Sequence, residues 1–402
     1  MEINTKTPAA DPAIAGIAPL QTASRPRYWL HILLFLSTLL TTTTIWGLWS
    51  SQPATSMMDM FSWRVLSSGL IFSTSLLTFL TVHEFGHYFA ARHHSIDATL
   101  PYYIPLPFIG IGTLGAVIRI KSAIPSRTKL FDVGASGPIA GFVAAVLLLF
   151  IALATLPPPD NVMQFDGHPE LKAFVEQNGT YPTEILPPIE QETSSIVVGQ
   201  TLLFWMASSL FDNVPPMFEM YHYPLLFAAW LGLFFTALNL LPVGQLDGGH
   251  ILYALVGPVW HKRIASGFVL LLLASGSIGF VADQTPAMLD MRATVGPFFW
   301  FILAAILFFY LNKVFSGAHR FIAPWLLVLM VLSAVAPSLP RLADTVGYSG
   351  WLIWCLLIVF LIKIEHPPVY IEDRLTGSRK ILAIASFVVF ILCFSIRPLA
   401  IV

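Results

Sequence analysis

The sequence predicts an all-α polytopic membrane protein, with about 8–10 transmembrane helices and a short membrane-embedded β-strand or hairpin segment. Three observations predict it. Of 402 residues only 43 are charged, 21 Lys plus Arg and 22 Asp plus Glu, or 11%; soluble domains carry about a quarter. Hydrophobic residues make up 56% of the chain and the mean hydropathy is +0.75. Apolar runs long enough to cross about 30 Å of hydrocarbon recur along the whole length. Together these exclude a soluble globular enzyme, a disordered chain and a nucleic-acid binder with a basic face. The two cysteines, Cys355 and Cys393, both lie in apolar runs, so they build neither a disulfide framework nor a thiolate metal site. The 11 histidines are the polar stock to be accounted for.

Taken in order, residues 1–28 are polar and place Arg25 and Arg27 against the first apolar run, as a cytoplasmic tail does. No small-residue cleavage pattern follows, so that run reads as a span and not as a removed signal peptide. Spans are expected at 29–49, 65–92, 132–155, 224–243, 263–282, 297–315, 321–339, 349–364 and 380–397. The run 196–211 (IVVGQTLLFWMASSLF) is short and is expected to be re-entrant or interfacial. With the N-terminus inside, cytoplasmic loops hold 16 of the 21 basic residues. Outer loops keep only Arg64, Lys172, Arg292, Arg341 and Arg397, in line with the positive-inside rule. Making 196–211 a true span would spoil that separation. Residues 156–195 carry seven acidic residues and one Lys, with proline runs at 157–159 and 187–188, and read as a small, solvated outer insertion. Residues 100–130 open with PYYIPLPFIGIG and continue as TLGAVIRIKS, a Pro- and Gly-broken stretch followed by strand-like alternation. Strand backbone at membrane depth has to be buried in protein or face a water-filled cavity.

The chemistry concentrates in His83-Glu84-Phe85-Gly86-His87, an HExxH pattern inside the second apolar segment. Positions four apart share a helix face, so both imidazoles can meet one zinc ion while Glu84 stands beside it as a base for water. A carboxylate and two imidazoles within a span cost several kcal/mol unless they are used. A third ligand is needed. His93 is six residues beyond His87, about 9 Å along a continuing helix and on another face, so it reads with Arg92 and His94 as a basic helix end. Asp247 is the better candidate: Pro242 and Gly244 interrupt a helix just before it, and interrupted helices place polar groups at membrane depth. His87 and Asp247 both lie near the inner end of spans running inward. Gly134, Gly137 and Gly141 suit close packing against the HExxH helix, with Ser136 as an N-cap and Pro138 in the first turn. His250 reads equally as support behind the metal or as a polar helix start. His31, His168, His222, His261, His319 and His366 are assigned no function.

HEFGH in one span and NLLPVGQLDGGH in a later one resemble the site-2 protease family of intramembrane zinc metalloproteases. GTLGA at 112–116 and GASGPIAG at 134–141 extend the likeness over about 65–260. PYYIPLP, GTLGAVIRIKS and SGPIAGF suit its bacterial and plastid branch, and no PDZ domain fits. The resemblance implies one Zn2+ per chain, held by His83, His87 and Asp247, with Glu84 as general base. Asn239 matches a family Asn thought to assist substrate or oxyanion binding. The organisation it implies is a cytoplasmic tail (1–28), a first transmembrane helix with its outer loop (29–64), a catalytic core (65–260) and accessory C-terminal helices (261–402). The expected activity is zinc endopeptidase cleavage of transmembrane or membrane-associated polypeptides near the cytoplasmic side.

Thr113, Leu114, Gly115 and Ala116, in the stretch 113–120, are a candidate strand for an unwound substrate. A strand that only shields the site from lipid fits them equally. The competing class is a catalytically silent homologue or a zinc-binding transporter, although the former has no use for Glu84 and the latter needs polar residues along more spans. A Glu third ligand from a later helix is disfavoured, because Glu365 and Glu372 lie in a charged loop. The expected setting is a multi-pass protein of a lipid bilayer with its N-terminus cytoplasmic, in a bacterial inner membrane or a plastid membrane, with no nucleic-acid partner.

Overall fold

The computed structural model describes residues 27–50, 62–107, 110–165, 169–182 and 196–401. The N-terminal tail and a large part of the acidic insertion lie outside the described residues. α1 (Tyr28–Ser50) and α2 (Trp63–His93) pack together, and a hairpin of β1 (Tyr102–Pro105) and β2 (Thr113–Val117) follows. α3 (Arg127–Ala154) is followed by α4 (Pro169–Asn178), β3 (Ile196–Val198) and α5 (Leu202–Ser208). The chain continues through α6 (Pro224–Asn239), α7 (Asp247–Val256), α8 (Pro258–Ala282), α9 (Pro286–Val295) and α10 (Phe298–Val314). It ends with α11 (His319–Val335), α12 (Pro340–Val346), α13 (Gly350–Leu357), α14 (Gly377–Cys393) and β4 (Leu399–Ile401).

Among the described residues, six helices are long and apolar enough to cross a membrane, or seven when the α9–α10 pair, bent by 105°, counts as one span. α6 and α14 are apolar but stop at 16 and 17 residues. The chain is a multi-pass membrane protein, mostly helical, with a small two-stranded antiparallel sheet between α2 and α3. α5 has seven residues, about 10 Å of helix, too short by itself for about 30 Å of hydrocarbon. Its leading strand β3 pairs antiparallel with β4, Ile196 opposite Ile401, which brings the end of α14 beside the segment following the outer insertion.

Local chemistry sets the element ends. Ser126 caps α3, its hydroxyl accepting the Lys129 amide at 3.3 Å. Ser136 and Pro138 therefore sit inside α3 rather than at its start; the helix begins with polar Arg127, Thr128 and Lys129, which hydropathy alone does not register. Gly257 (φ 82°) ends α7, and Pro258 starts α8 with a fixed φ and no amide to satisfy. α6 is buried along nearly its whole length against α2, α3 and α14. Lipid is as apolar as a leucine, so close packing of small residues holds such helices together. A Cβ at Gly232 would sit 3.0 Å from the Ala145 methyl on α3, and one at Gly69 would sit 2.1 Å from the Thr43 carbonyl on α1. The hairpin pairs Tyr102 with Val117 and Tyr103 with Ala116, then shifts register before Pro105 and Thr113. α1 holds it through the Thr41 hydroxyl, which donates to Gly112 O at 2.7 Å, and through His31 Nδ1, which donates to Pro101 O at 2.9 Å.

Candidate metal centre

His83 and His87 stand one turn apart on α2, with ring centroids 4.8 Å apart and Nε2 atoms 3.1 Å apart. Asp247 is the first residue of α7, so its carboxylate sits at the positive end of that helix. Its Oδ2 lies 3.5 Å from His83 Nε2 and 3.3 Å from His87 Nε2. Two residues on one span and a third on a broken helix thus converge on one point. Ligands about 2.0–2.1 Å from a tetrahedral zinc sit about 3.3 Å from each other, the spacing these three atoms already have. Side-chain exposures of 4% and 9% for the histidines against 17% for Asp247 leave one open side, where a catalytic metal keeps water or substrate. Among the described residues, this is the one group of three or more His, Cys, Asp or Glu able to hold a metal ion.

α3 supplies the support. The Val133 carbonyl takes a hydrogen bond from His87 Nδ1 at 2.7 Å. That bond puts the ring hydrogen on Nδ1 and leaves the Nε2 lone pair free for a metal. A Cβ at Gly137 would fall 2.0 Å from His87 Nε2, so α3 approaches this closely only because Gly137 has no side chain. Gly137 and Gly141 pack on the HExxH helix as expected, whereas Gly134 faces His250 and Asp247 of α7 instead. The α6–α7 connection turns at Gly244, whose φ is 57°, and α7 then folds back on that connection.

The other expected residues fall around this centre. Glu84 is buried beside the pair, on the side of the backbone of Ile118, just past β2. The Asn239 side-chain amide lies 3.3 Å from His83 Nε2. Thr113, Leu114, Gly115 and Ala116 all belong to β2, the strand that leads to Ile118. His93 is not in the cluster; its ring meets that of His94 edge to face, and His94 Nε2 bonds Asp132 at 2.8 Å. Tyr103 was not singled out in the sequence, yet its hydroxyl bonds Thr81, one turn before Glu84, at 2.7 Å. Only the adjacent tyrosines in a proline-rich stretch hinted at it.

A polytopic helical bundle with a buried His, His, Asp cluster is the framework of an intramembrane metalloprotein. The sequence profile of peptidase family M50 matches residues 71–281, more than half of the chain, and the chain belongs to that family. Over 219 residues it is 30% identical to the probable zinc metalloprotease EGY2, chloroplastic, of Oryza sativa subsp. indica, covering 54% of this chain and 34% of that protein. The EGY2 protein of Arabidopsis thaliana is 29% identical over 54% of this chain and 34% of its own length. The probable zinc metalloprotease EGY1, chloroplastic, of Arabidopsis thaliana is 28% identical over 48% and 30%. The match thus spans about a third of these relatives. No solved structure matches.

Proposed function

We propose that the protein is an intramembrane zinc endopeptidase, with one Zn2+ per chain, that hydrolyses transmembrane or membrane-associated polypeptides near the cytoplasmic side. The observation that carries this reading is the convergence of His83 Nε2, His87 Nε2 and Asp247 Oδ2 beside a buried, unligated carboxylate, Glu84. Zinc held there supplies Lewis acidity to a water and to the scissile carbonyl. Glu84 takes a proton from the attacking water and returns it to the leaving amine, as the water oxygen bonds the carbonyl carbon and the C–N bond breaks. Asn239, beside His83, donates to the oxyanion. A transmembrane helix has its amides internally bonded and must unwind first. β2 receives the unwound stretch as an added strand, since it is the strand of its two-stranded sheet that packs less on α1 and it runs toward Glu84 through Ile118. The chloroplastic relatives support a plastid membrane as the setting, and the balance of basic residues between the loops supports a cytoplasmic N-terminus or its equivalent.

The test uses the purified full chain with its Glu84→Gln and Asp247→Asn variants, measuring bound zinc and cleavage of a panel of transmembrane peptides. Glu84→Gln is expected to keep zinc and to lose about 10²–10⁴-fold in cleavage, the usual worth of a positioned acid–base group. Asp247→Asn is expected to lose both. Wild-type cleavage by Glu84→Gln sinks the proposal, and zinc binding without any cleavage by the unaltered protein would identify a silent homologue or a carrier instead.

A further inference from the structure

Residues 363–376, between α13 and α14, lie beyond the stretch matched to the family, yet they run across the connection that carries Asp247. The Gly244 amide donates to Ile364 O at 3.1 Å, and a Cβ at Gly244 would meet Lys363 O at 1.8 Å, so the two backbones touch. Glu365 pairs with Lys262 near the start of α8 at 2.6 Å. Further along, Ile371 accepts the Arg127 amide and donates its own to Pro125 O, and Asp373 accepts the Thr128 amide at 3.2 Å. The segment is a strap fixed to α8 and the α6–α7 connection on one side and to the start of α3 on the other.

Midway along the strap, His366 meets His250 of α7, with His366 Nε2 2.7 Å from His250 Nδ1. His366 Nδ1 bonds the Pro367 carbonyl, which only accepts, so this nitrogen carries the ring hydrogen. In the neutral ring Nε2 then accepts, and His250 Nδ1 donates. His250 is one turn beyond Asp247 on the same face of α7, and its amide closes the first turn by donating to Leu246 O at 2.9 Å. On its other side the His250 Cβ is 2.8 Å from where a Cβ at Gly134 would stand. Tyr253, a turn further on, lies against the His366 ring at 4.4 Å between centroids, and its hydroxyl donates to Glu372 at 2.5 Å. His250 is thus held between α3 and the strap.

We infer that His366 is a positioning residue for the metal centre. By accepting the hydrogen bond of His250 it fixes the rotation of the first turn of α7, and with it the aim of the Asp247 carboxylate at His83 and His87. The inference rests on the reading of that cluster as a metal centre. Partners behind a metal ligand typically change metal affinity by about 10–100-fold when removed.

The experiment takes the full chain with His366→Ala, His366→Gln, His250→Phe and the His250→Phe/His366→Ala pair. It measures the zinc dissociation constant by chelator competition, the visible spectrum of the cobalt(II)-substituted protein, the thermal transition, and kcat and KM on a transmembrane peptide. His366→Ala is expected to weaken zinc by about 10–100-fold, shift the cobalt bands and lower kcat at unchanged KM. His366→Gln, whose amide oxygen reaches the position of Nε2, is expected to recover most of the loss, and the double variant to cost no more than His250→Phe alone. Wild-type zinc affinity and cobalt bands in His366→Ala overturn the inference. If the alanine variant does not fold, His366→Gln decides: wild-type-like zinc binding supports the inference and weakened binding overturns it. Zinc and cobalt binding do not depend on cleavage, so an inactive but zinc-binding protein would sink the peptidase reading and leave this one standing.

Discussion

His87 carries the clearest division of labour at the scale of single residues. Nε2 points at Asp247 and His83, while Nδ1 is committed to the Val133 carbonyl, so the ring has one tautomer and one orientation. That commitment makes Gly137 the most sensitive small residue of α3. A methyl group there would fall 2.0 Å from His87 Nε2, and the ring cannot retreat without breaking its bond to Val133. Gly137→Ala is expected to cost about 1–3 kcal/mol of stability as an overpacked site. It is also expected to abolish metal binding, read from zinc content and the thermal transition. Gly267→Ala on α8, where a Cβ meets nothing within 4 Å, is the control and should be neutral or stabilising by about 0.5–1 kcal/mol.

Among the elements, the hairpin links the bundle to the reacting groups. Its inner strand β1 leans on α1, and β2 leads through Ile118 to Glu84. Leu114 on β2 is 68% exposed and Val117 is exposed too, while Thr113 and Ala116 are buried, so the strand offers two side chains outward and is anchored by the buried ones. If β2 receives substrate, Leu114→Ser raises KM for a transmembrane peptide several-fold with zinc content and kcat close to wild type, the pattern of lost uniform binding. An unchanged KM would leave β2 as a shield between the site and lipid.

Across the whole molecule, the C-terminal third ties the end of α2 to α3. Arg379 at the start of α14 makes two parallel bonds to Asp132 of α3, at 2.7 and 2.8 Å, and Asp132 also bonds His94 at the end of α2. Three helices distant in sequence meet at one carboxylate. Side-chain exposures of 35% for Arg379 and 20% for Asp132 place the pair between the exposed and the buried regimes. Arg379→Ala is expected to lower stability by about 1–3 kcal/mol, seen as a lower unfolding temperature in detergent or lipid discs. Arg379→Lys is expected to recover only part of this, since an ammonium cannot reproduce the paired geometry.

The sequence by itself determined the multi-pass helical class and the pairing of His83 with His87, while of nine expected spans six, or seven with the bent pair, are helices long enough to cross among the described residues. Hydropathy and helix periodicity are local properties, and four residues on one helix always share a face. Asp247 was legible as a lone carboxylate after a helix break, but only the fold brings it within 3.5 Å of the imidazoles. The true start of α3 was hidden because its first turn is polar and capped by Ser126. The bond of Val133 to His87, the approach of Ile118 to Glu84 and the His366 strap under His250 were decided by the tertiary structure alone. Each joins segments far apart in the chain through backbone groups or an unremarkable loop histidine, and such contacts leave no periodicity or spacing in the sequence to read.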